Sequence, residues 1–384
     1  MKICFVSSMH PALDKRVFDK EAVYLSSNGF DVTHLAPGDE KSWIQNGVNI
    51  ITYTARNGIV GRVLQLMKLF NLARSVDADV YHCNEVDSWV VGVALKIRYK
   101  KICVFDVHEH YPEDFAEMRF PIWFRPPVRL LIKFVMWVLS KFTDRIVLAK
   151  SSLMSDFQTY PKNKIVAAQN FTPLSALVNS NQCDQIEYSD DEFDSRPLKI
   201  IHLGLFNECR GLFQMLESIK DDKKNFELLF LGEYSDGTNL DLSKIINSYG
   251  LTDYVKYKSW VPFDEALEYV KNSDVGLIMF QPGYFNHVHA LPHKLFDYMA
   301  SGIPVIAPDF AIEVAEIVSD AECGLLVDST DYLSLRNALE SFIKNPSSIN
   351  IMGENGKAAI KAKYNWDVEG DKLVNMYKEL KNEY

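Results

Sequence analysis

The sequence has 384 residues, with 41 basic and 51 acidic side chains and a formal net charge of −10. Apolar residues make up 47% and charged residues 24%, a globular balance that excludes disordered and fibrous classes. The acidic total argues against nucleic acid as a partner. At ~100–200 residues per domain, the length predicts two or three domains.

Cysteine spacing and hydropathy indicate the compartment. The six cysteines are scattered singly, without a C-x-x-C pair, so we expect a reducing, cytoplasmic environment. No apolar run reaches ~18 residues, so we expect no membrane-spanning helix.

Apolar runs of strand length alternate with helical patterns along the whole chain. The first half predicts strands at Lys2–Ser7, Phe30–Ala36, Asn49–Thr54, Asp79–Cys83, Lys101–Val107, Arg145–Ala149 and Lys164–Ala168. The second half predicts strands at Leu198–Leu203, Phe226–Leu231, Val255–Trp260, Val275–Phe280, Pro304–Ala307 and Gly324–Val327. This alternation is typical of parallel sheets covered by helices on both faces.

A composition break separates the two halves. Residues 172–197 lack periodicity and are rich in Asp and Glu, which predicts an acidic linker. We therefore expect two doubly wound α/β domains, 1–171 and 198–365, with a cleft between them. A last helical pattern in 366–384 carries its own apolar stripe over Val368–Leu380.

The segment 273–308 carries the richest chemistry, as a strand, a polar loop, a short helix over Lys294–Ala300 capped by Gly302, and a strand. Lys294 near the helix start can meet an anion, and Asp297 can accept two hydroxyl hydrogen bonds, as carboxylates do with a ribose. The stretch LPHKLFDYMASGIPVIA resembles the donor-nucleotide motif of the retaining glycosyltransferases of GT-B fold, specifically family four. The resemblance places Asp297 at the second glutamate of that motif and His289 at the first.

The resemblance implies how the donor is held. A predicted strand ends in Gly204, and Arg210 and Gly211 open the next helix, where a cation beside a helix N-terminus binds phosphate. In the family, two cations in this loop bind the donor diphosphate. Here Arg210 matches one, Leu205 stands in place of the other, and Lys294 could supply the missing charge. The implied donor site comprises Gly204, Arg210, Gly211, Lys294, Leu295 and Asp297.

Two segments of the first half imply roles for polar residues. A buried strand delivers Asp106, His108, Glu109 and His110 to its carboxyl end, and D-x-H-E is similar to the family's strand-end histidine. The resemblance implies that His108 reaches the transferred sugar with Glu109 as a helper, and that His289 takes the place of the usual glutamate there. The alternative is a histidine pair without a function.

The loop after the first strand lacks a G-x-G-x-x-G motif, which argues against a dinucleotide oxidoreductase. Its sequence instead resembles the acceptor-side domain opening of the same family. We expect His10, Asp14 and Arg16 on the acceptor side, although Asp14 and Arg16 could equally form a surface pair worth little.

Residues 120–142 mix bulky apolar side chains with Arg and Lys, which fits a core helix whose basic tip contacts a membrane surface. Asp77 and Asp79 precede a predicted strand, at the wrong end for a ligand cleft. The family usually works without a metal, so we expect no metal and no cofactor.

The resemblance spans nearly the whole chain and implies a two-domain GT-B enzyme whose last helix crosses back to the first domain. The implied reaction is transfer of a hexosyl unit, with retention, from a nucleotide-sugar to a glycan or a polyprenyl-diphosphate-linked acceptor. We expect this in surface polysaccharide synthesis, in the cytoplasm or peripherally at the inner face of the cell membrane. The alternatives are a nucleotide-sugar epimerase of GT-B fold and a non-catalytic nucleotide-sugar-binding partner.

Overall fold

The structure is a computed structural model that describes residues 1–55, 58–173, 196–235 and 241–383. Most of the predicted acidic linker, including every acidic residue in it, lies outside these ranges. The chain forms two compact units. The first domain is Met1–Asn170 together with Trp366–Tyr384, and the second domain is Phe171–Asn365.

The first domain contains an eight-stranded sheet in the order β3-β4-β2-β1-β5-β6-β7-β8. Neighbouring strands are parallel except for the pair β3–β4 at one edge. The strands are β1 Lys2–Val6, β2 Asp31–Pro37, β3 Ser42–Gln45, β4 Val48–Tyr53, β5 Val80–Cys83, β6 Ile102–Val107, β7 Arg145–Leu148 and β8 Ile165–Ala167.

Helices connect these strands. A wide π-type helix at Lys15–Ala22 begins at Asp14, whose carboxylate accepts hydrogen bonds from the backbone N–H groups of Arg16 and Val17. It continues into α1 Val23–Ser27, and the further helices are α2 Gly58–Val76, α3 Val86–Tyr99, α4 Tyr111–Arg119 and α5 Arg125–Ser140. Single 3₁₀ segments lie at Ile122–Phe124, Ser151–Phe157 and Lys162–Lys164.

The second domain contains a six-stranded, fully parallel sheet in the order β11-β10-β9-β12-β13-β14. Its strands are β9 Leu198–Leu203, β10 Phe226–Leu231, β11 Val255–Lys258, β12 Val275–Leu277, β13 Val305–Pro308 and β14 Gly324–Val327. Along the chain this is the doubly wound order 3-2-1-4-5-6 of Rossmann-like domains.

The helices of the second domain cover both faces of its sheet, as the separate apolar clusters on the two faces show. They are α6 Leu212–Ile219, α7 Leu242–Ser248, α8 Phe263–Lys271, α9 Phe285–Val288, α10 His293–Ser301, α11 Ile312–Asp320, α12 Tyr332–Lys344 and α13 Ser347–Ala362. Two 3₁₀ turns lie at Glu208–Arg210 and Lys223–Asn225.

The last helix, α14 Trp366–Glu383, belongs to the first domain. Its buried face, with Trp366 and Tyr377, packs in one apolar cluster with side chains of β1, β6 and the π-type helix. The Tyr377 hydroxyl contacts His82 Nδ1 on β5 at 2.6 Å, and Glu383 forms an ion pair with Arg145 on β7. The helix is therefore an integral layer of that domain.

Several boundaries differ from the sequence-based expectations. β11 ends at Lys258, earlier than predicted, because its neighbour β10 ends opposite it at Leu231. β12 ends at Leu277, also earlier than predicted, although both of its neighbours continue. The short edge strand β3 was missed; it pairs antiparallel to β4 across Asn46 and Gly47, which both have positive φ. Among the described residues the five cysteines are free thiols, and no helix there is long and apolar enough to cross a bilayer.

Candidate active site

The second domain has a topological switch point between β9 and β12, which are neighbours in the sheet although their outward connections run in opposite directions. In such sheets a ligand binds outside the carboxyl ends of the two strands. The loop after β9 carries Gly204 and Arg210, and the segment after β12 carries His287, His289 and Lys294. The fold thus gathers the residues of both predicted motifs at the edge where a ligand is expected.

Two glycines shape the first of these loops. Gly204 has φ +93°, and a Cβ at this residue would lie 3.7 Å from Lys294 Nζ. Gly211 has φ +77° and precedes α6, and its Cβ would lie 2.5 Å from the carbonyl oxygen of Met279. Only glycine fits the second position, because the backbones of the two loops approach so closely there.

Lys294, in the first turn of α10, is the central cation of the site. Its ammonium lies 3.2 Å from His202 Nε2 on β9, and the side chain is only 8% exposed. Burial and the nearby Arg210 guanidinium lower the pKa of Lys294 to about 7. Burial, Lys294 and Arg210 also hold the pKa of His202 well below its usual range, so this imidazole is neutral. The site therefore carries positive charge for which an anion would be a favourable partner.

The environment of α10 reinforces that preference. Its N-cap residue is Pro292, which makes no side-chain hydrogen bond to the helix N-terminus. The helix dipole places partial positive charge at this end, beside Lys294. Gly302 caps the other end with φ +75°, as the sequence predicts.

Asp297 and Leu295, which lie on the same helix, have different environments. Asp297 lies one turn after Lys294 and is mostly buried, and its carboxylate acts on the Lys294 ammonium by raising the pKa that burial and Arg210 lower. Leu295 is fully buried among the apolar side chains of the second domain. The expectation that Leu295 contacts the donor is therefore wrong for its side chain, which faces the core.

The histidines after β12 lie on aromatic rings. His287 stacks on Phe280 with ring centroids 4.9 Å apart, and its Nδ1 is 2.8 Å from the carbonyl oxygen of Gln281. Burial lowers the pKa of His287. His289 lies against Phe285 with a centroid distance of 4.7 Å and is half-buried. Both imidazoles therefore have defined positions on this segment.

A cavity of about 460 Å³ opens at the same end of the second sheet. Its lining includes Asn207, Tyr234 and Gln281, from the segments that follow β9, β10 and β12. Arg210, Lys294 and Asp297 are not among its lining residues, so the cavity adjoins the cationic site and does not contain it.

In the first domain, the loop after β1 is held by a carboxylate of the chain itself. Glu85, which follows β5, accepts hydrogen bonds from the backbone N–H groups of Ser8, Met9 and His10 at 2.8–3.0 Å. These strands flank the switch point of the first sheet. Since Glu85 occupies the N–H groups that a phosphate would need, this loop is not a phosphate-binding loop.

Three residues form a hydrogen-bonded series at the end of β6. His108 Nε2 lies 2.5 Å from Asp106 Oδ2, and His108 Nδ1 lies 2.9 Å from His10 Nε2. The two imidazoles stack with ring centroids 4.6 Å apart. The Arg16 guanidinium and His108 hold the pKa of Asp106 well below its usual range against the effect of its burial. The ionised carboxylate can only accept, so His108 donates to it through Nε2, and a second hydrogen bond joins His108 Nδ1 to His10 Nε2.

Behind this series lies a buried ionic cluster. The Arg16 guanidinium contacts Asp106 Oδ1 at 3.0 Å and Glu21 Oε1 at 2.8 Å. Burial would lower the pKa of Arg16, but Asp106 and Glu21 raise it above its usual value. Burial raises the pKa of Glu21 well above its usual range, and Asp106 adds to this rise against the opposing effect of Arg16. Asp106 is thus the acid of the cluster whose ionised form is favoured, and Glu21 the acid whose ionised form is disfavoured.

These positions correct two expectations for the first domain. Arg16 is buried and makes this internal ion pair, so it lies neither on the acceptor side nor in a surface pair with Asp14. Asp14 caps the π-type helix instead. Glu109 lies in the loop after β6, and its side chain is 52% exposed and pairs with Lys150 Nζ at 2.8 Å, which does not fit a helper of His108. His10, expected on the acceptor side, contacts His108 directly.

Two groups of side chains in the described part of the chain bring three metal-ligand atoms close together. Glu21, His82 and Asp106 form one, and His110, Glu113 and Asp156 the other. In the first, the Arg16 guanidinium already supplies positive charge to both carboxylates. In the second, Lys133 contacts Glu113 at 3.2 Å and His110 contacts Asp156 at 2.9 Å.

Sequence reasoning missed two residues that shape these sites. His202 is a buried polar residue near the carboxyl end of the mainly apolar strand β9, and Glu85 stands in the polar segment directly after β5. Both residues could have been predicted from the sequence, because a polar residue at the carboxyl end of a parallel strand lies where ligands bind.

Comparison with known families divides the chain into the same two parts. Residues 16–175 match the model described as Glycosyltransferase Family 4, and residues 185–359 match the model described as Glycosyl transferases group 1.

Curated relatives align over parts of the chain. The putative colanic acid biosynthesis glycosyltransferase WcaL of Escherichia coli is 26% identical over 151 residues, 38% of this chain and 36% of that protein. The amylovoran biosynthesis glycosyltransferase AmsK of Erwinia amylovora is 22% identical over 188 residues, 48% of this chain and 46% of that protein. The matched region is thus less than half the length of these relatives.

Solved structures resemble the chain over its full length. Sucrose-phosphate synthase from Thermosynechococcus elongatus has a TM-score of 0.75 at 16% identity, covering 100% of both chains. Anabaena HepE in complex with UDP has a TM-score of 0.73 at 12% identity, covering 99% of this chain and 100% of that one. At these identities the likeness establishes the fold.

Proposed function

Because this chain belongs to the glycosyltransferases of GT-B fold, we propose that it transfers a hexosyl unit from a nucleotide-sugar to a glycan or polyprenyl-diphosphate-linked acceptor. Family membership and fold are confirmed as the sequence predicted them. The donor, the acceptor, retention at the transferred carbon and a place in surface polysaccharide synthesis are parts of the proposal. The polysaccharide assignment draws on relatives named for colanic acid and amylovoran biosynthesis.

The observation that carries the proposal is the cationic site of the second domain. Lys294 and Arg210 are close enough for Arg210 to lower the pKa of Lys294, and no net attraction holds two cations together. A diphosphate placed between them would relieve that repulsion and raise the pKa of Lys294. HepE, which shares the fold, has been solved with UDP and with UDP-glucose, in keeping with a nucleotide donor.

Asp297 would hold the ribose. A carboxylate accepts from two neighbouring hydroxyl groups, and Asp297 lies one helical turn from the cation proposed for the diphosphate. The preceding segment, with His287 and His289, would contact the sugar and contribute to its selection.

The second domain would stabilise the leaving group of the reaction. As the bond between the anomeric carbon and the diphosphate oxygen lengthens, negative charge grows on the diphosphate. Protonated Lys294, Arg210 and the N-terminus of α10 would stabilise that charge. We propose a dissociative front-face route, in which the acceptor oxygen bonds to the same face of the sugar and its proton passes to the leaving diphosphate.

The first domain would bind the acceptor and contribute His108. His108 has a defined orientation, because Asp106 and His10 engage both of its ring nitrogens. No metal is required in this proposal, since side-chain cations and a helix N-terminus serve the diphosphate. Full activity in EDTA would agree with that part, and activity restored only by a divalent cation would contradict it.

Two other functions make different predictions. An epimerase of the same fold would convert the nucleotide-sugar without any acceptor. A non-catalytic binding partner would bind the donor without turnover, and His108→Ala would leave that binding unchanged. His108 held by two hydrogen bonds favours the enzyme over the binding partner.

The test is a thermal-shift panel of UDP-, GDP- and dTDP-sugars on the full chain. Stabilisation by one nucleotide class is expected, because a ligand that binds only the folded state raises the melting temperature. Arg210→Ala and Asp297→Ala should abolish the shift, whereas Lys344→Ala, which removes an exposed cation of α12, should retain it. No shift with any nucleotide-sugar would contradict the proposed donor site.

Incubation of the stabilising donor with acceptor candidates then separates the functions. Transfer of sugar supports the proposal. Isomerisation of the donor alone identifies the epimerase, and binding with neither reaction identifies the binding partner.

A further inference from the structure

The outer face of the first domain carries an exposed apolar surface on residues 119–142, which we call the α5 surface. It comprises the 3₁₀ segment at Ile122–Phe124 and the outward side of α5. Trp123 is 86% exposed, the most exposed of the large apolar side chains in the described part of the chain. The other exposed large apolar side chains of this surface are Ile122, Phe124, Leu130, Leu131, Phe134, Val135, Trp137 and Phe142.

The helix is apolar on two opposite sides. Met136 is buried, and Ile132 and Leu139 pack partly buried against the core of the first domain. The outward side presents Leu130 and Phe134, spaced as neighbours on one helical face. A helix that covers a sheet in water carries polar residues on its outer face, so this pattern indicates an apolar medium on both sides.

The charges around this surface are mainly basic, in a chain of net charge −10. α5 and its C-cap contain Arg125, Arg129, Lys133 and Lys141 and no acidic residue. Glu113 and Glu117 of α4 contact Lys133 and Arg129.

Two further cations lie over aromatic rings, one of the α5 surface and one of the preceding helix α4. Lys141 Nζ is 4.9 Å from the ring centre of Trp137, and the Arg119 guanidinium is 4.4 Å from that of Phe115. Cations at the edge of an apolar face, with their stems along that face, suit the headgroup region of a bilayer.

We propose that the α5 surface lies on an anionic lipid bilayer, with α5 parallel to the membrane plane. The helix is about 24 Å long, at roughly 1.5 Å per residue, and its length and composition fit lying on a bilayer and not crossing it. The exposed Trp, Phe and Leu side chains enter the boundary between headgroups and acyl chains. Arg119 and Lys141 meet the lipid phosphates.

Charge favours this occupant over a second copy of the chain. A two-fold contact through the α5 surface would bring equivalent patches together, and the cations at its edges would then face cations of the same kind. An anionic bilayer satisfies those cations. This inference deepens the proposed function by placing the first domain where a lipid-linked acceptor is found, and that role depends on the proposed function.

The test is flotation of the full chain with vesicles of phosphatidylcholine alone or with 30% phosphatidylglycerol. We expect binding to the anionic vesicles, weakened by salt, with a blue shift of Trp fluorescence. The double variant Leu130→Gln, Leu131→Gln should lower the partition coefficient at least about tenfold. Arg119→Gln with Lys141→Gln should remove most of the preference for the anionic vesicles.

The matched control is Ile97→Gln, which changes an exposed apolar side chain of α3 outside the α5 surface. It should bind vesicles like the native chain. Absence of binding to anionic vesicles by folded protein overturns the proposal, as does equal loss in the control. A dimer that the double variant abolishes, seen by light scattering without vesicle binding, would assign the surface to a second copy.

The nucleotide-sugar thermal shift of the double variant is measured in parallel. If the double variant keeps its thermal shift with the nucleotide-sugar but no longer binds vesicles, the substitutions affect the α5 surface and leave the donor site intact. Vesicle binding by a chain that no nucleotide-sugar stabilises would sustain the membrane contact and contradict the proposed donor.

Discussion

Lys294 Nζ lies 3.2 Å from His202 Nε2, so a helix of the second domain places its cation against a neutral imidazole on the neighbouring strand. Two protonated groups at this distance would repel each other, and burial makes the charged form of each more costly. The result is a lysine whose pKa is lowered to about 7. Such a group can gain a proton when a dianion arrives.

The first prediction concerns proton uptake on binding. A nucleoside diphosphate should raise the pKa of Lys294, so binding at pH 7.5–8.5 should take up protons. The dissociation constant should rise as pH increases through about 7, by up to about tenfold per pH unit for one linked proton. Calorimetry in buffers of different ionisation enthalpy measures the uptake. Lys294→Met should bind weakly without uptake, and a native chain without uptake would contradict the lowered pKa.

The second prediction concerns stability and the same lysine. Since its folded pKa of about 7 lies below the unfolded value, the folded state bears the full cost of the buried ammonium below pH 7. Between pH 7 and about 10.5 the unfolded state binds more protons, so the free energy of unfolding should rise with pH. Denaturant titrations from pH 6.5 to 9 on the native chain and Lys294→Met measure this. If the free energy of unfolding rises equally with pH in both chains, Lys294 is not the group responsible.

The third prediction separates the two acids of the buried cluster. Asp106→Asn leaves the Arg16 guanidinium without its ionised partner and should destabilise the chain by about 3–5 kcal/mol. Glu21→Gln replaces an acid whose raised pKa disfavours its ionised form, so it should cost less, on the order of 1 kcal/mol. Urea unfolding of both variants tests the difference. Equal losses would show that Glu21 is ionised in the folded chain.

The fourth prediction tests His10 as a positioning residue for His108. His10→Ala removes the hydrogen-bond partner of His108 Nδ1 and should lower kcat about tenfold or more, with little change in affinity for the nucleotide-sugar. His10→Gln can present an N–H to the same nitrogen and should recover part of the rate. Steady-state kinetics measure the loss of rate. The thermal shift with the nucleotide-sugar, which should be retained in both variants, shows that they are folded. Equal rates for the two variants would remove the positioning role.

The fifth prediction concerns the loop before α6. Gly211→Ala should abolish the nucleotide-induced thermal shift, because its Cβ would overlap the Met279 carbonyl and displace Arg210. Gly283→Ala is the control, since Gly283 also has positive φ, +98°, but has no atom within 4 Å of the Cβ position. It should cost only about 1 kcal/mol of stability and retain binding. A shift retained in Gly211→Ala would mean that the loop does not contribute to the donor site.

Much of the fold could be predicted because buried parallel strands are continuous apolar runs. β1, β9 and β10 are examples in which the predicted and observed ranges agree within a residue. The edge strand β3 was missed because it has only four residues, and only every second one of them is partly buried. Asn46 and Gly47 between β3 and β4 are a strong hairpin signal, and their sequence alone would have supported the strand.

The candidate site was predictable in composition but not in geometry. Lys294 and Arg210 follow from motif position, yet their mutual effect on the pKa of Lys294 depends on the neighbouring β9 and β12, which are far apart in sequence. The buried location of Arg16 could not be predicted, since its partner Asp106 is 90 residues away. Leu295 shows the limit of transferring a motif, because adjacent helical residues face different directions.

The placement of α14 affects how the chain is made. On a ribosome, residues 1–170 emerge with the Ile3 and Phe5 side of their sheet still lacking the helix that covers it. All of residues 171–365 must follow before Trp366 and Tyr377 can close that apolar surface. The second domain therefore has every residue it needs to complete its fold while the first still exposes core. Newly made first domains are thus open to chaperone binding and aggregation for the whole time that the second domain is being synthesised.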